Sequence, residues 1–573
     1  MRDHAESGVG QKAHGNRVGR YGRDVVARKL EDVHARMLES GASRRRCAAE
    51  AGIPRTSMQY WRRKQENLAA SPAAVAFFES PEGVAFLHGL VVAAHLVMTW
   101  AGPCGIRLVC RFIELAGLGA FVTTSYGAHQ RVSAGMQSEL AEYGREERAR
   151  LAVGMGRKRI TVCEDETFLS EDICLVAMEP VSGFVLLEAY AERRDTQTWN
   201  AALGDAVQDL DVEVIQSTSD EAAALARHAK ALGAEHSPDL FHVQNEVGRA
   251  MALSLSGREE RATEAHERAA EEVKRQVEAE RTYWENPRGR GRPPAFARRI
   301  CEARAAEEET TRQLEKAKEH RRSWIDALHG IERAYHPFDL ATGRSRPAEQ
   351  VAGDLAQSFD RLDRIAKEAG LSQGAREHLD KARRVVPKMV ASVGFFHVEV
   401  HRRVESLGLP PEQESLLHEN LIPSAYLHRA AARTQNRDKR AEIRRTLDDL
   451  LSASFFPRTF AASLSEPERS TLEKVAFACA DVFQRSSSCI EGRNGRLSEF
   501  EHAMRRLHPK KLAGLTVIHN YFIERPDRTT AAERFFGAAP RDLFAWLTAR
   551  LPLPPRPSRP RASAEKQCLF KPM

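Results

Sequence analysis

Ile160-Thr161-Val162-Cys163-Glu164-Asp165-Glu166-Thr167-Phe168 is the stretch that decides how this chain is read. A β-prone run that breaks into three consecutive acids has the form of a buried strand carrying a carboxylate to the edge of a sheet. Two further apolar runs follow, Ile173 to Glu179 and Phe184 to Tyr190, joined by Pro180-Val181-Ser182-Gly183 as a tight hairpin turn. A helix is expected over Thr196 to Leu210, then a fourth strand from Val212 to Ile215 that ends at Ser219-Asp220. A second helix over 221–232 leads to a short fifth strand, Asp239-Leu240-Phe241-His242-Val243.

Three antiparallel strands, a helix, a strand, a helix and a strand form the element order of the ribonuclease H fold, an α/β core on a mixed five-stranded sheet. In that order Asp165 and Asp220 end neighbouring central strands. Two carboxylates held close together repel unless cations lie between them, so the pair is a natural site for divalent metal. Phosphoryl transfer with two metals needs a further acid. Glu246, just after the fifth strand, is the near candidate; Glu491, in Ser486-Ser487-Ser488-Cys489-Ile490-Glu491-Gly492-Arg493-Asn494, is the far one. Glu164 and Glu166 flank Asp165, and a slip of one residue would put either in its place.

With 573 residues, 42% hydrophobic and 29% charged, the chain has the composition of a soluble multidomain protein. Its nine cysteines are scattered without any Cys-x-x-Cys pair, which argues against a zinc ribbon or a disulfide framework and fits a reducing cytoplasm. The start of the chain has no apolar core with a cleavage site. The apolar run Val84 to Trp100 is broken by His88, Gly89 and His95, so a buried helix is expected there and no membrane span.

The net charge of +7 sits in the first 67 residues, where 15 Lys and Arg face 8 Asp and Glu. A basic module on a neutral body implies an anionic partner. Residues 1–22 are expected to be a disordered basic arm and 23–68 a helix-turn-helix domain. Its third helix, opened by Pro54, presents Arg55, Thr56, Ser57, Gln59, Arg62 and Arg63 for contact with double-stranded DNA, around Met58 and Trp61. Residues 80–155 form a second helical module, in which Phe121 to Val132 has the form either of another recognition helix with Thr123, Thr124, Ser125, His129, Gln130 and Arg131 outward or of part of a plain packing or dimerisation domain.

The first part of the core occupies 156–248. A helical insertion fills 249–480, led by a charged hairpin of helices, Glu259 to Trp284 and Ala295 to Leu328, whose turn at 286–294 is Arg-rich. The core closes over 481–548, and 549–573 is a Pro- and Arg-rich tail expected to be disordered.

Asp165-Glu166-Thr167, Asp220, Asp239 to Val243, the serines before Glu491 with Asn494 one turn later, His519-Asn520-Tyr521-Phe522 and Arg528 to Phe535 together resemble a bacterial insertion-sequence transposase of the DDE type. The resemblance spans roughly 155–540. It implies metal-dependent cleavage and strand transfer at transposon ends, with Asp165, Asp220 and Glu491 holding two Mg2+ ions, for which Mn2+ can substitute. It also implies a homodimer or larger assembly on end and target DNA, in a nucleoid-associated cytoplasmic setting. Arg493, Asn494 and Arg496 are expected on DNA or as supports of a ligand, and His242 as a support near the metals. The gap of 271 residues between Asp220 and Glu491 is long for such an insertion. The competing readings are a catalytically silent, transposase-derived DNA-binding protein and a ribonuclease H-like nuclease.

Overall fold

A computed structural model of the chain describes residues 21–286, 292–452, 464–504 and 506–557. Nearly all of the expected basic arm, the centre of the Arg-rich turn and the tail from 558 onward lie outside the described residues. The rest is mostly helical with one mixed sheet, and it divides into two compact units. One gathers Met1–Arg150, Glu499–Thr530 and Ala539–Met573; the other gathers Leu151–Ser498 and Ala531–Ala538.

In the first unit, helices Arg23–Ser40, Arg44–Glu50 and Arg55–Glu66 pack around Val33, Cys47, Ala48, Ile53 and Met58, with Trp61 against them. Gly41 and Gly52 take positive φ of 62° and 64° at the two turns, a conformation that costs a residue without Cβ little. Pro54 is the cap before the third helix and not its first residue.

The apolar run forms helix Pro81–His95, continued by a π turn over Leu96–Ala101. Among the described residues, Pro81–Ala101 is the one helix long and apolar enough to cross a membrane, and half of its most apolar window is buried. Leu87, Val91, Val92, Leu96 and Trp100 are core residues.

The expected recognition helix at Phe121 to Val132 is not what forms. Phe121 and Val122 are drawn into the core, and the helix starts at Tyr126 and runs to Ala152. His129 points inward, with Nδ1 3.0 Å from His95 Nε2 and Nε2 2.8 Å from the Thr123 carbonyl. Burial, with the neighbouring ring adding to it, brings His95 down to about 4, so this pair is neutral packing at physiological pH.

Residues at the start of the expected tail make defined contacts. The His88 ring lies 2.6 Å from the Leu551 carbonyl and Thr123 N–H donates to Pro555. Arg556 joins Arg23 on the buried Glu79 carboxylate. These partners tie down residues 549–557, which composition alone assigns to disorder.

In the second unit, β1 (Lys158–Leu169), β2 (Asp172–Glu179), β3 (Phe184–Ala191), β4 (Val212–Ser219) and β5 (Glu235–Pro238) line up as β3-β2-β1-β4-β5. β1 runs antiparallel to β2 and parallel to β4, and β4 runs parallel to β5. β1 continues past Asp165 to Leu169, paired with β2 all the way, so this acid sits inside the strand and not at its end. The four long strands otherwise lie where the residues place them.

The fifth does not. β5 precedes the expected segment, and Asp239 caps helix Leu240–Glu285 through its side chain. Leu-Phe-His-Val fits a short strand and an apolar helix turn equally well, and an aspartate N-cap decides for the helix.

That helix of 46 residues and its partner Phe296–Ala334 make the expected hairpin. The insertion is not a separate body: Leu240, Val247, Ile331, Phe359, Phe396 and Phe483 share one core with Ile215 of β4. The boundary expected at 248 falls inside a continuous helix.

Candidate active site

Alternation along β1 sorts the acids. Thr161, Cys163 and Asp165 share one face, and Glu164 and Glu166 share the other. On the Asp165 face the chain returns at 482–487. The Thr161 hydroxyl lies 3.1 Å from the Val482 carbonyl, the Thr218 hydroxyl 3.4 Å from that of Gln484, and Cys163 Sγ 3.8 Å from that of Ser486.

Asp239 fastens the segment from the other side. Its Oδ2 accepts Ser487 N–H at 3.0 Å together with the Ser487 hydroxyl, while Leu240 N–H donates to the Arg485 carbonyl. Helix Ser488–Met504 starts from this clamp, and Asn494 Nδ2 donates to Asp165 Oδ2 at 2.9 Å. A residue 329 positions downstream thereby touches the first strand's acid.

Asp165 also accepts Glu166 N–H at 2.8 Å. Burial pushes its carboxyl up to about 6, and the negative charge of Asp220 acts in the same direction. Asp220, half-buried at the end of β4, accepts Ala222 N–H at 3.0 Å. His242, in the first turn of Leu240–Glu285, is near enough for its charge to favour the ionised form of Asp165. Glu491 is exposed, one turn before Asn494 on the same helix face.

The alternatives to these acids have other partners. Glu164 is fully buried on the opposite face, accepting from Ser217 Oγ at 2.6 Å beside His228. Glu166 takes Trp199 Nε1 and Arg194, both at 3.1 Å. Glu246 is bound to His378 at 2.7 Å and Lys381 at 2.6 Å, on helix Gln373–Arg383. Burial raises its carboxyl, but those two hydrogen bonds more than offset this and bring it below the usual range.

Arg493 corrects an expectation. It is not available to DNA: its buried guanidinium makes two hydrogen bonds, 2.7 and 2.6 Å, to the fully buried Glu188 of β3. Glu188 pairs across β2 Val176 with Asp165, so the ion pair sits in the same cross-strand row as the acid. The signal for Glu188 was a lone charge in the apolar strand Phe184–Ala191, which burial requires to be partnered. Arg496 is half-buried. In the other unit, Arg55, Thr56, Gln59, Arg62 and Arg63 are exposed and Ser57 is half-buried.

Among the described residues no group of three or more His, Cys, Asp or Glu side chains is gathered closely enough to hold a metal ion. The donor set nonetheless suits a hard cation. Asp220 is near enough for its charge to act on the buried Asp165 carboxyl, and among the described residues the buried Oδ1 of Asn494 has no hydrogen-bond partner. Oxygen ligands alone are what Mg2+ or Mn2+ prefers.

A family of unknown function (DUF6399) matches residues 417–563, about a quarter of the chain, including the helix of Glu491 and Asn494. No curated protein sequence matches the chain.

Proposed function

We propose that the chain is a DDE-type DNA transposase with a ribonuclease H-like core, cleaving and joining DNA strands at transposon ends. The observation that supports this most is the 2.9 Å hydrogen bond from Asn494 to Asp165, which brings the helix of Glu491 onto the strand that carries the first acid. The sheet order β3-β2-β1-β4-β5 and the nearness of Asp220 are consistent with the same reading.

Asp165, Asp220 and Glu491 would hold two Mg2+ ions, whose chemistry is to neutralise charge at the reacting phosphate and activate the attacking hydroxyl. The chain's own groups do the rest. Asn494 orients Asp165, the Arg493–Glu188 pair fixes the helix that bears Asn494, and Asp239 holds the start of that helix against β5. His242 stands on the acid's face as a positioning residue. The exposed Arg55, Thr56, Gln59, Arg62 and Arg63 offer base and phosphate contacts on duplex DNA, with a dimer or larger assembly joining two ends in the nucleoid.

A catalytically silent, DNA-binding relative is the second reading, favoured by the absence of an assembled three-acid cluster among the described residues. The test is Mg2+-dependent nicking of DNA that carries the sequences flanking the coding region, with wild type and Asp220→Ala side by side. Cleavage lost in the variant supports the proposal; equal activity sinks the catalytic assignment, and binding without any cleavage favours the silent reading.

A further inference from the structure

Two cavities in the sheet-bearing unit meet at a pair of arginines. The larger, about 540 Å³, opens beside the start of helix Arg437–Leu451; the other, about 470 Å³, reaches Ser486, Ser488 and Cys489 at the start of the Glu491 helix. Arg433 and Arg485 line both. Among the described residues neither forms an ion pair with a carboxylate: Arg433 donates to the Gln484 side-chain oxygen at 3.1 Å and Arg485 to the Glu332 carbonyl at 2.9 Å.

The acids around the larger cavity are partly occupied. Glu332 faces Lys439 at 3.2 Å, Asp339 accepts the N–H groups of Ala341 and Thr342, and Glu442 is exposed. Arg333, Arg429 and Lys439 add further cations to the wall, the last two paired with Asp481 and Glu332.

Burial holds the Arg485 guanidinium below the usual arginine range, and the nearby Glu332 carboxylate, itself shared with Lys439, offsets this only in part. The arrangement is stable at lower cost when an anion lies between the two forks. Guanidinium forks match phosphoryl oxygens, and the volume is that of a small-ligand site.

We propose that the Arg433–Arg485 cavity binds a phosphoryl group, supplied either by a nucleic-acid strand or by a free nucleotide. Neither Asp165, Asp220 nor Glu491 lines either cavity, and the site needs no metal. Two cavities sharing one arginine wall give room for successive phosphates.

The test is calorimetric titration of the full-length protein in EDTA with dAMP and with 5′-phosphorylated dithymidylate. Arg433→Gln, at the exposed end of its helix, carries the test, because Arg485→Gln risks the fold. It is expected to weaken binding by about tenfold or more, the effect of losing a charge-assisted hydrogen bond, with an unchanged thermal melt. Arg312→Gln, on the hairpin surface, is expected to leave binding unchanged. Tighter binding of the dinucleotide assigns a strand, and tighter binding of dAMP assigns a free nucleotide; both support the site. No heat with either probe, titrations of Arg433→Gln that superimpose on wild type, or equal weakening by Arg312→Gln would overturn it.

Discussion

Replacing Asp165 by Asn is expected to stabilise the cation-free protein at neutral pH. The Asp165 carboxyl titrates near 6 in place of the ordinary 3.8, chiefly through burial and secondarily through the charge of Asp220. The folded state therefore holds this proton more tightly than the unfolded chain does. Its contribution to stability is fully present below about pH 4, declines as pH rises between the two values, and is lost above about pH 6.

At about 1.4 kcal/mol per pKa unit, ionised Asp165 costs roughly 3 kcal/mol at pH 7.5, and screening at a partly exposed side chain brings this to about 1 to 3 kcal/mol. The amide has room for its hydrogen bonds. One oxygen keeps Glu166 N–H, and the Asn494 carboxamide can turn so that its unpartnered Oδ1 accepts from the new Nδ2. Urea denaturation in EDTA measures the difference. Asp165→Asn should unfold at higher urea than wild type at pH 7.5, with the two converging near pH 4. An Asn variant no more stable at pH 7.5, or a gap independent of pH, would refute the electrostatic reasoning.

Arg493→Ala leaves Glu188 charged and buried, and should cost about 3 to 5 kcal/mol in thermal or urea unfolding. Glu246→Gln should leave strand cleavage unchanged, because that acid is bound to His378 and Lys381, whereas Glu491→Gln should abolish cleavage in the same assay. Arg63→Ala in the three-helix module should weaken duplex binding about equally across sequences and lower the slope of log affinity against log salt by about 1, as read by fluorescence anisotropy.

The first four strands were legible because β-branched and apolar residues repeat between strong turn signals. Asp165 and Asp220 stood out as acids where such runs end. The fifth strand was misplaced because Leu240 to Val243 suits either element, and only the Asp239 cap, with Ser487 as its other partner, shows which forms.

Arg493 and His129 turn inward for a shared reason. A polar side chain on a helix looks outward until its buried partner is known, and Glu188 is 305 residues from Arg493. His129 likewise depends on His95, on another helix. The stretch 549–557 is not legible in its own composition because its order comes from Glu79 and His88.

Titration of the full-length protein with Mn2+, followed by electron paramagnetic resonance, tests the central claim most directly. Two ions are expected to bind wild type and Glu246→Gln, with coupled spectra, and this signal should be lost in Asp165→Asn and in Asp220→Asn. Mn2+ binding that persists unchanged in both aspartate variants would contradict a metal-dependent site on β1 and β4.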